Sequence, residues 1–203
     1  ASTAAPKQNG VLIASRLPLT HIPLRHCEGE HHHRLLGVRL GTLDLIGCYF
    51  PLNNAKQPVF DFILERLAAQ ISSLSIILGD MNTGVPYIDE VGKTFFCADS
   101  FKQLSSAGWV DSWRTRHPEQ RTYSWFSAAG NGFRIDHAFC TRGLDAHVRR
   151  AEYDHTPRER RATDHSALLV DFALARPEMH APALPDSRSK ADFLPRPTIP
   201  RDT

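Results

Sequence analysis

Alternating apolar and polar residues mark most of the strands that this chain is expected to form. Residues 35–40 and 43–50 predict the two strands of a hairpin, joined by Gly-Thr at residues 41–42. Residues 11–15 and 74–78 are shorter apolar runs, which are typical of buried strands. Three further strands are predicted closer to the end of the chain, at residues 133–140, 147–153 and 166–172.

Two segments have the pattern of helices. Pro58 suits the first turn of a helix, where a missing N–H costs little. The apolar residues that follow form one stripe that is expected to face the core: Val59, Phe60, Ile63, Leu64, Leu67 and Ile71. A second helix is predicted at residues 98–106, ended by Gly108. Strands, a helix and strands again indicate an α/β fold, a two-sheet sandwich of mixed strands with outer helices.

Length and composition predict a soluble globular protein with one domain. The chain has 203 residues, of which 41% are hydrophobic and 23% charged. We expect the domain to span residues 1–175. Residues 176–203 are rich in proline and lack a periodic apolar pattern, which predicts a disordered tail. The net charge of +2 is too small to indicate a nucleic-acid partner.

The cysteines and the distribution of apolar residues bear on the cellular compartment. Cys27, Cys48, Cys97 and Cys140 show no spacing typical of a metal site, so they are interpreted as reduced thiols of a reducing compartment. The sequence has no apolar run of membrane-spanning length and no signal-peptide pattern. A cytoplasmic protein without a membrane span, and a monomer, is therefore expected.

Three short polar motifs follow or interrupt the apolar runs. They are Gly-Asp-Met-Asn at residues 79–82, Arg-Ile-Asp-His at residues 134–137 and Thr-Asp-His at residues 163–165. Carboxylates, an amide and an imidazole at strand ends can converge on one rim of a sheet. Metal-assisted attack of water on a phosphate requires such a group of side chains.

In this order the motifs resemble those of the endonuclease/exonuclease/phosphatase superfamily, above all its branch of exonuclease III and the apurinic endonucleases. Smaller matches support the resemblance, which covers about residues 9 to 173: Asn-Gly-Val-Leu-Ile-Ala-Ser-Arg at 9–16, Tyr-Phe-Pro at 49–51, Trp-Val-Asp-Ser-Trp-Arg at 109–114 and Thr-Tyr-Ser-Trp-Phe at 122–126. The resemblance implies a DNase I-like fold.

The resemblance also implies roles for the motif residues. Asp80 would position or deprotonate the attacking water, and Asn82 would bind a phosphate oxygen or that water. His165 would bind the scissile phosphate or act as acid or base, with Asp136 fixing its tautomer. Asp164, with Asp80 and Asn82, would hold Mg²⁺, with Mn²⁺ as an alternative. Asp164 could instead be a structural carboxylate beside the site.

Four further residues are candidates for contact with the substrate. Tyr49 marks the abasic-site nucleases within the resemblance, and its phenol could donate to a phosphate or stabilise a leaving group. Trp125 and Phe133 could form an apolar wall for a sugar or a base, although core packing explains them equally well. Arg134 could contact a phosphate or support Asp136.

The leading hypothesis is an Mg²⁺-dependent phosphodiesterase that acts on DNA. Two alternatives stay open: a phosphatase or phosphodiesterase for a lipid headgroup or small phosphate ester, and a non-catalytic remnant or binding protein. The non-catalytic alternative stays open because this sequence has no counterpart, before Asn9, of the strands that open the family's domain. In the family those strands carry an Asn and the Glu that is the principal Mg²⁺ ligand. We therefore expect weak Mg²⁺ binding, association through unpaired strand edges and little activity from these 203 residues.

Overall fold

A computed structural model describes residues 1–3, 9–25 and 33–174. The predicted tail and Cys27 lie outside the described residues, so the domain boundary at residue 175 stays a prediction. The described strands are β1 (Thr20–Ile22), β2 (Leu35–Leu40), β3 (Leu43–Tyr49), β4 (Ser75–Asp80), β5 (Trp109–Asp111), β6 (Trp125–Phe126), β7 (Gly132–Phe133), β8 (Asp136–Thr141), β9 (Val148–Asp154) and β10 (Ala167–Phe172). The helices are α1 (Gln57–Glu65), α2 (Ala98–Ser106), α3 (Ser112–Arg116), α4 (Arg142–Asp145) and α5 (Thr156–Glu159).

A mixed six-stranded sheet forms the centre of the fold. Its strand order is β1-β2-β3-β4-β8-β5, and β9 pairs with β10 in a separate two-stranded sheet. All neighbours in the large sheet are antiparallel except β3 and β4, which are parallel. Parallel neighbours require a crossover connection, and α1 lies in it. β3 and β4 consequently end at the same rim of the sheet.

Each face of the central sheet is covered by a different layer. One face packs against α1 and α2 through buried apolar side chains that include Phe50, Phe60, Ile63, Phe101 and Phe139. The other face packs against the β9–β10 hairpin, α3 and α4, through residues that include Ile76, Trp113, Leu144, Val148 and Ala151. The mixed central sheet, the second sheet and the outer helices confirm the predicted two-sheet α/β sandwich of mixed strands.

The apolar pattern predicted some elements well. The hairpin of β2 and β3 and the helix α2 lie where they were expected, and Pro58 stands in the first turn of α1. The stripe of α1 faces the core as predicted, but the helix ends at Glu65 and a 3₁₀ turn follows at Leu67–Ala69.

Two predicted strands are wrong. In the part of the chain that the structure describes, residues 11–15 belong to no strand: their backbone is bonded to the first residues of the chain, from Thr3 N to Val11 O and from Ile13 N to Ala1 O. Residues 133–140 do not form one strand, because the chain leaves the ladder between β7 and β8. There the N–H of Arg134 donates to Asp89 O, and Ile135 O accepts from Met81 N.

Two further features of the described residues concern the thiols and the helices. Cys48, Cys97 and Cys140 are free thiols, as predicted. In residues 1–3, 9–25 and 33–174 no helix has the length and apolar character needed to cross a membrane.

Candidate active site

Three side chains of the sequence motifs stand in one row across the central sheet. Tyr49 at the end of β3 is paired with Asp80 at the end of β4, and Asp80 is paired with Asp136 at the start of β8. Residues directly opposite each other point to the same face of a sheet. Tyr49, Asp80 and Asp136 therefore share one rim, as the motifs predicted.

A glycine allows the strands to approach each other beside this row. Gly79 has φ +146°, and a Cβ atom there would lie 2.0 Å from the carbonyl oxygen of Cys48. Any other residue would push β4 away from β3 or change its course. The close approach of β3 and β4 therefore requires glycine at position 79, immediately before Asp80.

Asn82 orients the carboxylate of Asp80. The backbone N–H of Asn82 donates to Asp80 Oδ1 at 2.7 Å, and its side-chain nitrogen donates to Asp80 Oδ2 at 3.3 Å. The same nitrogen donates to the carbonyl of Phe50 at 2.8 Å. The carboxamide nitrogen thus forms both of its hydrogen bonds within the protein. In this conformation it orients Asp80 and is not available to bind a phosphate.

The environment of Asp80 makes it more basic than an ordinary aspartate. Burial, and then the nearby carboxylate of Asp136, raise its pKa from 3.8 to about 6. The N–H of Asn82 and the imidazole of His165 act in the opposite direction. A carboxylate with this pKa is ionised at neutral pH and still accepts a proton readily, as a general base must.

His165 and Asp136 form the pair that the motifs predicted. His165 Nδ1 lies 2.7 Å from Asp136 Oδ2. This hydrogen bond raises the pKa of His165, while burial lowers it by less. The bond fixes Nδ1 as the protonated nitrogen, because a carboxylate accepts a hydrogen bond. Nε2 is then the ring nitrogen left for a substrate.

Trp125, Phe133 and Asp164 lie together beside His165. The rings of Trp125 and Phe133 are 5.7 Å apart, and the Trp125 ring is 6.5 Å from the His165 ring. The indole N–H of Trp125 donates to Asp164 Oδ2 at 3.2 Å. Both aromatic side chains are partly exposed. The predicted apolar wall therefore adjoins the candidate active site.

Tyr49 has two neighbours that the sequence patterns did not single out. Asn9 donates from its side-chain nitrogen to the Tyr49 hydroxyl at 3.2 Å. The guanidinium of Arg34 lies 5.1 Å from the centre of the Tyr49 ring, in cation–π contact. Asn9 opens a segment that resembles the family, whereas Arg34 carries no local signal beyond its place before β2. The pairing of β2 with β3 brings Arg34 to Tyr49, whereas Asn9 reaches Tyr49 from the segment that precedes β1.

The expectation that Arg134 contacts a substrate phosphate is contradicted by its position. Its side chain is 1% exposed. The guanidinium pairs with Asp89 at 2.7 Å and with Asp111 at 2.7 Å. Arg114 bonds to the same Asp89 at 2.8 Å. Burial of a charge requires such partners, so Arg134 fixes the course of the chain ahead of Asp136 and has no free edge for a phosphate.

Oxygen ligands for the expected Mg²⁺ are present without forming a complete cage. Asp80 and Asn82 adjoin each other, whereas Asp164 is bonded to the Trp125 indole. Within the described ranges, no group of three or more His, Cys, Asp or Glu side chains is placed to hold a metal ion. The oxygen atoms of Asp80, Asn82 and Asp164 suit a hard cation such as Mg²⁺, which usually keeps several waters and takes further oxygens from a substrate phosphate.

Comparison with known proteins agrees with this geometry. A model of the endonuclease/exonuclease/phosphatase family matches residues 2–165. Among solved structures, the 3′ phosphatase NExo from Neisseria, bound to a product DNA hairpin, is 19% identical with a TM-score of 0.63, over 77% of this chain and 70% of that chain. An AP endonuclease from Archaeoglobus fulgidus is 22% identical with a TM-score of 0.61, over 70% of this chain and 66% of that chain.

The catalytic domain of APE2 from Xenopus laevis is 20% identical with a TM-score of 0.59, over 70% of this chain and 56% of that chain. At these identities the structures show a shared fold, and the family model covers most of the chain. The chain therefore belongs to the endonuclease/exonuclease/phosphatase family, a family of phosphate-ester hydrolases.

Proposed function

We propose that the protein hydrolyses phosphodiester bonds in DNA, as an endonuclease or exonuclease of the exonuclease III type that depends on Mg²⁺ or Mn²⁺. The observation that carries the proposal is the row of Tyr49, Asp80 and Asp136 across three strands, with His165 bonded to Asp136. This row supplies a base, an oriented imidazole and a phenol on one rim of the sheet, groups that can activate water and donate protons to a phosphodiester.

In the proposed reaction Asp80 accepts the proton of the attacking water. Its pKa of about 6 suits this step, and the bonds from Asn82 hold the carboxylate in a fixed direction. His165, held by Asp136, would donate in its protonated form from Nε2 to an oxygen of the scissile phosphate and stabilise the developing charge; the bond to Asp136 raises the pKa of His165 and so favours that form. A bound divalent cation would neutralise further charge on the phosphate oxygens.

Tyr49 and the aromatic side chains would act on the leaving side and on the sugar. The Tyr49 hydroxyl accepts a hydrogen bond from Asn9, so its own proton is free to go to a phosphate oxygen or to the leaving oxygen. Trp125 and Phe133 offer exposed ring area next to His165. Aromatic faces stack on sugars and bases without regard to sequence, which suits a nucleic-acid substrate.

DNA is preferred to other phosphodiesters for two reasons. NExo from Neisseria is a 3′ phosphatase solved with a DNA hairpin, and the protein from Archaeoglobus fulgidus is an AP endonuclease. The strand β3 also ends in Tyr49, the residue that the resemblance associates with abasic-site nucleases. The rival substrate is a small phosphate ester or lipid headgroup, because one site of this family can serve many phosphates.

A substrate panel tests the proposal. The protein is incubated with duplex DNA that holds an abasic site, with nicked duplex, with a 3′-phosphate end and with small phosphate esters, in millimolar Mg²⁺ and again in EDTA. We expect DNA to be cleaved in Mg²⁺ and not in EDTA, slowly for these 203 residues because their Mg²⁺ binding is expected to be weak, and we expect cleavage to be lost in Asp80→Ala and His165→Ala. His147→Ala, which changes an exposed histidine, is the matched control and should keep full activity. Hydrolysis of small esters without action on any DNA would select the rival substrate class.

A further inference from the structure

Lys56 is a buried lysine directly behind the candidate active site. Its side chain is 1% exposed, and it ends the 3₁₀ turn Asn53–Lys56 that leads into α1. Its ammonium donates to the main-chain carbonyl of Asn82 at 2.5 Å. Lys93 and Lys102, the other lysines in the part of the chain that the structure describes, are exposed. No motif of the sequence drew attention to Lys56.

A buried ammonium needs a specific reason, because its removal from water is costly without compensating partners. The hydrogen bond to the carbonyl of Asn82 is the compensating contact that the structure describes for the Lys56 ammonium.

The backbone at Asn82 explains what the ammonium does. Asn82 has φ 50°, the left-handed region that residues other than glycine adopt only at a cost in energy. Its N–H is bonded to Asp80, and its side-chain nitrogen is bonded to Phe50 and Asp80. The carbonyl and the side-chain oxygen are the remaining polar groups of Asn82, and Lys56 binds the carbonyl.

We propose that Lys56 is a positioning residue for the reaction: its ammonium holds the carbonyl of Asn82 and thereby keeps the left-handed turn from which Asn82 orients the carboxylate of Asp80. The proposal rests on the function proposed above. Lys56 touches the main chain of Asn82 and lies below the surface, so it acts through Asn82 and Asp80 and not through contact with the substrate.

Steady-state kinetics on abasic-site duplex in Mg²⁺ test the role of the ammonium. Lys56→Met keeps the length of the side chain and removes its charge, Lys56→Arg keeps the charge, and Lys102→Met is the exposed control. Since a small displacement of a catalytic group lowers the rate strongly, we expect Lys56→Met to lower kcat by at least about tenfold with KM changed less than about twofold. Lys56→Arg should recover part of the loss, and Lys102→Met should match the unchanged protein.

A second measurement separates this proposal from the proposed function. Amide NMR spectra of the unchanged protein and of Lys56→Met, with urea unfolding midpoints, need no substrate. We expect the resonances of residues 80–83 to shift while the midpoint stays within error. Unshifted resonances would overturn the role of Lys56, as would an unchanged kcat or a rise in KM alone. Absence of turnover in the unchanged protein would overturn the proposed function only, and the spectra would then decide about Lys56.

Discussion

Replacement of Asp80 by asparagine should make the protein more stable while it removes the proposed base. In the folded protein the pKa of Asp80 is raised from 3.8 to about 6, first by burial and then by the carboxylate of Asp136. A carboxyl group with a raised pKa opposes folding once it is ionised. A neutral amide of the same shape has no electrostatic cost of this kind. The free energy of unfolding should therefore rise when asparagine replaces Asp80.

The direction follows from proton linkage. Below pH 3.8 the carboxyl is protonated in the folded and the unfolded chain, and it contributes nothing. Between pH 3.8 and about 6 the unfolded chain ionises first, so the folded state binds more protons and stability falls as the pH rises. Above about pH 6 the carboxyl is ionised in both states, so the destabilisation caused by its charge no longer changes with pH. A pKa difference of about two corresponds to about 3 kcal/mol.

The measured gain should be smaller than this figure. Asp80 is partly exposed, so solvent screens its charge, and the asparagine loses part of the hydrogen bonding from Asn82. We expect Asp80→Asn to raise the free energy of unfolding by roughly 1–3 kcal/mol at pH 8. The gain should shrink as the pH is lowered toward 4, where the unfolded chain also becomes neutral.

Urea unfolding in EDTA at pH 4.5 and pH 8 measures both values without interference from bound cations. Asp61→Asn is the control, because Asp61 is an exposed carboxylate of α1 and its asparagine can still accept the bond from Gln57. It should change stability little at either pH. The reasoning would be refuted if Asp80→Asn were less stable than the unchanged protein at pH 8, or if its gain were the same at both pH values.

Three further outcomes are expected. Asp136→Asn should lower the pKa of His165, which the bond to Asp136 raises, and NMR titration of the imidazole resonances would show no change if that bond were absent. Arg134→Met should lower the free energy of unfolding by about 3–5 kcal/mol, because it removes the arginine partner of Asp111 and leaves Asp89 with Arg114 alone; a loss of activity at full stability would instead favour a phosphate contact. Calorimetric titration with Mg²⁺ should show weak binding, since few oxygen ligands are gathered in the described residues; tight binding and rapid turnover by these residues would contradict that account.

The sequence by itself determined the class of fold and the chemistry of the site. Apolar periodicity placed β2, β3 and α2 correctly, because burial of an apolar face is a local property of the pattern. The motifs at residues 79–82, 134–137 and 163–165 supplied the carboxylates, amide and imidazole, and their order indicated the family that the family model then confirmed. These features are visible in the sequence because each lies within a few consecutive residues.

The tertiary structure decided which of these residues can reach a substrate. Strand register brought Tyr49, Asp80 and Asp136 into one row, although they come from distant parts of the chain. Arg134, which could have contacted a phosphate, is buried and pairs with Asp89. Lys56 is buried as well, and its ammonium binds the carbonyl of Asn82. The identity of an arginine or lysine in the sequence does not show whether its side chain is solvated or buried. Its role depends on the charges and carbonyls that the fold brings within a few ångströms, and those partners come from residues far away in sequence.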